Sequence, residues 1–506
     1  MASRFKRLFY TRHAEHDFDG ADAETIWLHK LTLSQVQDEV VRLSGSRETW
    51  GLTPQVSQDG QWLVVSGSTS SGDLSVVQLM DLASNLSVTP LTDEPLGGTV
   101  FVAGRDGKLY FLTNHEAPNG RLVAINPQTP EPSRWRTVVA ASDKPLEAVV
   151  ATAFGFVACY NSHAAHHLRL LEPNGGTIGE VELPDLGSIF TLSGHPNDEE
   201  WFYGFESFAH PPTMFHACGV GSGQPIDPVE YPRTTDCEVV QSFATSNDGT
   251  QIPLFLVKPK KADPEPRPTI LVGYGGFGVS MVPTYNADIL AWIGEGGYFA
   301  CACLRGGGEY GEDWHQAGSG KSKQNTFDDL ASCAEWLIRH DWATSRTLIV
   351  QGSSNGGLAA AALLNQHPHL IAAAIIDNAV LDMLRFDQLG IGEMWVNEYG
   401  SPDDPDIHRV LCEYSPYHNV RSGHAYPPTL ITVAAQDDRV HPSHSYKFAA
   451  ALQQAQAGEA PILLRVRRDA GHGAGTAVTA LIRNTAEVLA FAMSAAHRPT
   501  SSSETC

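Results

Sequence analysis

The sequence lacks the features that would place it in several broad classes. No apolar run approaches the roughly 20 residues needed to cross a bilayer. The longest candidate, "AVVATAFGFVACY", contains glycine and alternates like a strand. The first twenty residues, "MASRFKRLFYTRHAEHDFDG", have neither an apolar h-region nor a small-residue cleavage site, so they do not read as a secretory signal. Cysteine is sparse, with eight in 506 residues, no C-x-x-C and no Cys/His spacing of a zinc site. That argues against a disulfide framework and a metal centre and makes a reducing cytoplasm the expected compartment. Basic residues are also few, 34 against 57 acidic, and the formal charge of −23 repels phosphate backbones and anionic lipid. Nucleic-acid and membrane-surface partners are not expected.

What is present is an ordinary globular composition, 42% hydrophobic and 18% charged, in a chain long enough for roughly two to four domains. Two rhythms divide it. Up to about residue 235, short strand-like runs are broken by turn chemistry, as in "QVSQDGQWLVVSG" and "FVAGRDGKLYFLT". These units recur at roughly 35 to 50 residues, which suggests propeller blades. Four are clear, and "LFYTRHAEHDFDGADAETIWLHKL" reads as a partial fifth. The expected all-β domain therefore covers residues 1–235 with about four to five blades.

A hairpin and a Pro- and charge-rich connector, "SNDGTQIPLFLVKPKKADPEPRPT", change the rhythm. Strand candidates "TILVGYGG", "YFACACL", "TLIVQGS", "AAAIIDNAV", "TLITVAAQD" and "ILLRVRRDAGHG" then alternate with helical stretches such as "NTFDDLASCAEWLIRH" and "GGLAAAALLNQH". Buried strands alternating with amphipathic helices predict a doubly wound, mostly parallel sheet over residues 236–498, with ligands at the carboxyl ends of the strands. Residues 499–506 are expected to be a disordered tail. Cys301 and Cys303 would share one face of a strand as buried thiols.

In "LIVQGSSNGGL", the frame G-x-S-x-G selects Ser354 rather than Ser353, because Gly352 and Gly356 flank it at two places on either side. A nucleophile elbow needs that, since its strained strand-to-helix turn leaves no room for neighbouring Cβ atoms. The same residues could instead be a serine N-cap with glycines for close packing. A triad needs an acid and a base later in the chain. "ITVAAQDDRV" puts Asp437 and Asp438 just past a buried strand, and "RDAGHGAG" puts His472 between glycines, where a histidine has little structural reason to be. Two other motifs are decoys. "RGGGEYG" contains G-x-G-x-x-G, but no amphipathic helix follows to hold a pyrophosphate. "GSGKS" looks like the tail of a P-loop, but His315 stands where the first glycine belongs.

The blocks "VGYGGFG", "CLRGGGEYGEDWH", "KQNTFDDL", "GSSNGGL", "IGEMWVNEYGSP", "YSPYHNV", "DDRVHPSHSYKF" and "AGHGAG", in this order over about residues 240–495, resemble the catalytic domain of prolyl oligopeptidases. The resemblance implies an α/β-hydrolase fold preceded by a β-propeller, here shortened to its later blades. Carried over position by position, it makes Ser354 the nucleophile, Asp437 the acid and His472 the base. The Tyr274 phenol and the Asn355 backbone N–H become the oxyanion donors, and Arg439 a holder of a substrate carbonyl. Trp395 would stack on a proline ring in a pocket completed by Phe277, Val380, Tyr399 and Val440. Proline has no N–H and an apolar ring, so aromatic stacking is the natural way to read it.

The implied activity is that of a serine endopeptidase acting through an acyl-enzyme on short proline-containing peptides, with no cofactor and no metal. An amine in place of water would make the same site a peptide macrocyclase or transpeptidase. A truncated homologue acting only as a binding protein is the alternative outside catalysis. A monomer is expected, with open propeller edges as the place where copies would associate.

Overall fold

The turns set the architecture of the first half. In "GRDGK", Asp106 (φ 50°) and Gly107 (φ 68°) make the two-residue left-handed turn that matches strand twist, pairing Arg105 with Lys108. Repeated devices of this kind give four four-stranded antiparallel sheets, preceded by a three-stranded sheet built from Arg7–Arg12, Thr25–Lys30 and Glu39–Val41. The computed structural model describes residues 7–12, 24–41, 49–69, 75–83, 88–92, 95–226, 236–261, 265–468, 470–473 and 476–496. The expected tail, and residues 13–23 of the partial fifth blade, lie outside them. Alternate residues of each sheet bury between neighbours. Val64, Val77 and Leu79 of one sheet, for example, share a core with Phe101, Leu109 and Phe111 of the next.

From Cys237 on, the strands join one eight-stranded sheet. In chain order these strands are β1 (Cys237–Thr245), β2 (Gln251–Pro259), β3 (Thr269–Gly273), β4 (Tyr298–Ala302), β5 (Leu348–Ser353), β6 (Ala373–Asp377), β7 (Thr429–Ala434) and β8 (Ile462–Arg467). Their spatial order is β1-β2-β4-β3-β5-β6-β7-β8. β1, β2 and β4 pair antiparallel, and every later pair is parallel. This is the α/β-hydrolase sheet, with all six strand candidates of the second half in place.

Helices cover both faces. In chain order they are α1 (Ala287–Gly294), α2 (Gln324–Arg339), α3 (Asn355–Gln366), α4 (Pro405–Tyr414), α5 (Ser443–Ala455) and α6 (Val478–Ala496). One face packs Leu290, Trp292 and Ile293 of α1 and Ala492 and Ala495 of α6 on Phe255, Ile270, Cys301 and Ile375. The other packs α2, α3 and α5 through Phe327, Leu363 and Phe448 on Leu271, Val350 and Ile431. Cys301 and Cys303 are both buried in the first of these cores. Helices α1 and α4 were not among the helical stretches expected from the sequence. Each carries its own start signal: Asn286 accepts the Asp288 N–H (2.8 Å), and Asp404 accepts the N–H groups of Asp406 (2.8 Å) and Ile407 (3.3 Å) before Pro405 at the first helical position.

The small sheets are seated on loops that leave the carboxyl ends of β3 and β4, the same edge of the sheet where a hydrolase site lies. Glu312 N–H donates to Pro118 O (3.1 Å), Tyr285 N–H to Glu206 Oε2 (2.9 Å), and Ser188 Oγ to Pro283 O (2.8 Å). The hairpin tip at His163 and Ala164 holds two non-glycine residues at φ 53° and 67°. That costs about 1–2 kcal/mol per residue. Docking offsets it: the His163 ring meets the Tyr310 hydroxyl at 2.7 Å and packs edge-on to Phe243.

Glu309 is fully buried in this seat, its Oε1 accepting the Met281 N–H (2.7 Å), and burial pushes its pKa up to about 8. Such a carboxyl stays protonated in the folded protein after the unfolded chain has ionised. Its contribution to stability is therefore full below the unfolded value of about 4.3 and is lost as pH rises through about 8. Glu309→Gln keeps the acceptor and cannot ionise. We expect it to raise the Tm at pH 8 but not at pH 4 in thermal unfolding followed by circular dichroism; equal Tm values at pH 8 would contradict this.

Candidate active site

Ser354 follows β5 and opens α3 with φ 55° and ψ −123°, a conformation that L-residues rarely adopt. Its neighbours must be glycine. A Cβ on residue 352 would collide with the Gly356 carbonyl, and one on residue 356 would sit 2.6 Å from Gly273 O. A Cβ on Gly357 would come within 2.5 Å of the Ala379 Cβ. The Ser354 N–H is tied to Asp377 O at the end of β6 (3.0 Å), which fixes the turn to the sheet. Ser353 has a different partner: its Oγ donates to Asp377 Oδ2 (3.3 Å). The geometry is thus that of an elbow rather than an N-cap, since the Ser354 side chain caps no amide of α3.

Asp437 and His472 come from the loops after β7 and β8. Asp437 is buried, and its Oδ1 accepts the N–H groups of Arg439 (2.9 Å) and Val440 (2.8 Å). His472 Nδ1 lies 2.8 Å from Asp437 Oδ2 and 3.0 Å from Oδ1. The ring nitrogen facing a carboxylate carries the proton, so Nδ1–H donates and Nε2 is left as the basic atom. Asp437, not Asp438, is the carboxylate brought to the histidine.

Tyr274 follows β3 in the glycine-rich loop "GYGGFG". Burial raises the pKa of its phenol, and the nearby Glu398 raises it further, while a hydrogen bond with Ser354 and the charge of Arg439 act against this. The net rise keeps the phenol protonated and able to donate. Asn355, at the first position of α3, has no intrahelical acceptor for its N–H. Its side chain is a brace: Nδ2 donates to Tyr274 O (2.5 Å) and Oδ1 accepts the Tyr399 hydroxyl (2.9 Å).

Ser354, His472 and Tyr274 open into a cavity of about 1270 Å3. Phe277, Val380, Trp395, Arg439 and Val440 also line it. The same lining includes Ile270, Val272, Ile375 and Leu430 of the sheet, Ile289 of α1 and Val488 of α6. Tyr399, expected among the pocket residues, stands instead behind the wall: it is fully buried, edge-on to Phe277 (5.7 Å, 86°), with its hydroxyl committed to Asn355. Tyr399 ends the short helical turn Val396–Tyr399 that follows Trp395, and its ring is enclosed edge-on by Phe277 and by Phe386 (5.2 Å, 74°). Among the described residues, no group of three or more His, Cys, Asp or Glu is arranged to hold a metal ion. No helix there is long and apolar enough to cross a membrane.

Sequence reasoning missed a set of buried charges beneath this loop. Lys323 Nζ donates to Gly275 O (2.9 Å) and to Glu398 Oε1 (2.8 Å), and His315 bridges Glu398 Oε2 (2.8 Å) and Glu312 Oε1 (3.2 Å). In "GSGKSKQ" a lysine reads as solvated, and nothing local marks it as fully buried.

The family model described as "Prolyl oligopeptidase family" matches residues 283–498, and that described as "Prolyl oligopeptidase, N-terminal beta-propeller domain" matches residues 3–221. The chain is 33% identical over 477 residues to the prolyl endopeptidase of Elizabethkingia meningoseptica, covering 93% of this chain and 67% of that protein. Among solved structures, one from a study of two prolyl endopeptidases superposes with a TM-score of 0.89 at 31% identity, covering 97% of this chain and 73% of that one. Prolyl oligopeptidase B from Galerina marginata, bound to a 35mer hydrolysis and macrocyclization substrate, gives 0.89 at 26% identity, covering 97% and 71%.

The brace makes Asn355 testable apart from chemistry. Asn355→Ala leaves the backbone N–H in place but strips the Tyr274 carbonyl and the Tyr399 hydroxyl of their partner. An unsatisfied buried group costs about 1–3 kcal/mol. The urea midpoint should fall by an amount equivalent to about 2 kcal/mol or more, and an unchanged midpoint would show that the brace carries no load.

Proposed function

The chain belongs to the prolyl oligopeptidase family, and on that premise we propose that it is a serine endopeptidase cleaving short peptides on the carboxyl side of proline. The observation that carries this reading is a single cavity into which Ser354, His472, Tyr274 and Trp395 all open, with Asp437 bonded behind His472. In the proposed reaction His472 Nε2 takes the Ser354 hydroxyl proton as Oγ attacks the carbonyl after proline. Asp437 holds the ring in that tautomer and stabilises the imidazolium. The Tyr274 phenol and the Asn355 N–H receive the developing oxyanion, each such donor being worth about 3 kcal/mol. His472 returns the proton to the leaving amine, and water then repeats the cycle on the acyl-enzyme.

Specificity rests on the proline ring stacking against Trp395, with Phe277, Val380 and Val440 as the apolar wall and Arg439 binding a substrate carbonyl. We assign the five-sheet unit to residues up to about 235 and the catalytic unit to 236–498. The seating of the first on loops of the second favours short peptides over folded proteins. The seven described cysteines are all unpaired, which supports a reducing compartment, the cytoplasm, and the net charge of −23 weighs against nucleic acid as a partner. The working form is a monomer.

A chromogenic Gly-Pro amide tests the reading. Release by the purified protein and its loss in Ser354→Ala support it; silence from both would leave a non-catalytic homologue. Trp395→Ala should lower kcat/KM for the proline substrate at least tenfold more than for its alanine counterpart, and an unchanged preference would remove Trp395 from the pocket. With a longer peptide, a linear acid as product fits hydrolysis, whereas a cyclic product would assign aminolysis.

A further inference from the structure

Tyr274 and Trp395 lie on different segments, and catalysis requires them to be correctly spaced: one reads the proline, the other the oxygen of the bond that follows it. The structure joins the two segments by a closed ring of bonds. Lys323, on the turn leading into α2, donates to Gly275 O (2.9 Å) and to Glu398 Oε1 (2.8 Å). Glu398 is followed by Tyr399, whose hydroxyl donates to Asn355 Oδ1 (2.9 Å). Asn355 Nδ2 closes the ring on Tyr274 O (2.5 Å). The consecutive carbonyls of Tyr274 and Gly275 are thus anchored to Tyr399 and Glu398, which end the helical turn that begins just after Trp395.

The ring is buried and electrically closed. Lys323 is fully buried, its ammonium 5.4 Å from the centre of the Tyr399 ring. Burial lowers its pKa, and Glu398 opposes this. Glu398 is buried as well, and its second oxygen meets His315, which is also bonded to Glu312. Burial opposes a charge on His315, but its hydrogen bonds to Glu312 and Glu398 outweigh this and raise its pKa to about 9, so near neutral pH charges alternate along Lys323, Glu398, His315 and Glu312 and sum to zero. A buried lysine and glutamate are costly relative to apolar side chains of the same volume and give no strong reason for their presence as stability. A fixed geometry is such a reason: no apolar side chain can bond the Gly275 carbonyl, and without Lys323 that carbonyl keeps only a long contact from Thr326 Oγ1 (3.5 Å), a hydroxyl that lies closer to Arg305 O (2.8 Å), so the glycine loop (Gly275 φ 59°) has one short restraint fewer on the phenol it carries.

We propose that Lys323, through Glu398, is a positioning residue that holds the Tyr274 phenol at the oxyanion site in register with the Trp395 platform. It touches no substrate atom and acts through Tyr274. The proposal rests on the peptidase reading above. Its signature is a loss of transition-state binding without loss of ground-state binding.

The test is a double-mutant cycle with the Gly-Pro amide substrate. Lys323→Met should lower kcat at least tenfold while KM moves by less than about twofold. In a Tyr274→Phe background, where the phenol is already gone, Lys323→Met should cost less than about twofold more. Because Lys323→Met leaves Glu398 unpaired, Lys323→Met/Glu398→Gln is measured by the same criterion, and thermal unfolding reports whether each protein is folded. Effects of Lys323→Met and Tyr274→Phe that multiply, or a change confined to KM, would overturn the proposal. So would failure of both Lys323 variants to fold, which would make the lysine purely structural. Absence of activity in the parent protein would instead defeat the peptidase reading itself.

Discussion

The arrangement depends on one strained peptide turn. Ser354 sits at φ 55° and ψ −123°, and such a conformation costs on the order of 1–3 kcal/mol, persisting only where the surroundings over-determine it. Here they do. β5 is central in the sheet, with β3 and β6 paired on either side, and Ser354 N–H is bonded to β6. The helix that follows, "NGGLAAAALLNQ", has no polar face, and all of its residues from Asn355 to Asn365 are buried. Small residues at 352, 356 and 357 let that helix close on the strands. The strain exposes one hydroxyl at the carboxyl edge of the sheet, and the loops bearing Asp437, His472 and Tyr274 converge there because the strands before them are parallel and in register.

The same edge carries a second load. The loop after β3 that supplies Tyr274, Gly275 and Phe277 continues into Ser280, Pro283 and Tyr285, and together with Tyr310 and Glu312 of the loop after β4 these residues bond the small sheets. The loop that carries Tyr274 and the domain seat are therefore one structure. This explains the density of buried polar groups beneath it: a loop that must present a phenol to one side and backbone to the other cannot be held by apolar packing alone. Lys323, Glu398 and His315 supply directed bonds where the core supplies only contact.

Much of this was legible in the sequence because it is written in short range. Asp106-Gly107 and similar pairs announce hairpins, apolar runs announce the six later strands, and the spacing of Gly352 and Gly356 about Ser354 is steric information in five residues. The rest depended on distance. Helices α1 and α4 are short and lie among glycines and prolines, so their periodicity is overridden by their flanks, although Asn286 and Asp404 were available as caps. Tyr399 matches the pocket by position, yet it is fully buried against Phe277 and does not line the cavity. Lys323 could not be seen at all: its partners are 48 and 75 residues away, and a lysine among glycine and serine looks solvated until the fold encloses it.

The central claim is that Ser354, selected by the geometry of its turn, is the residue that reacts. The most direct measurement is labelling of the folded protein with a fluorophosphonate, followed by tryptic digestion and mass spectrometry of the modified peptide. One adduct is expected, on Ser354, and it should be lost when the protein is unfolded before labelling. An adduct on Ser353 or on a residue outside the cavity would contradict it, as would a protein that remains unlabelled while folded.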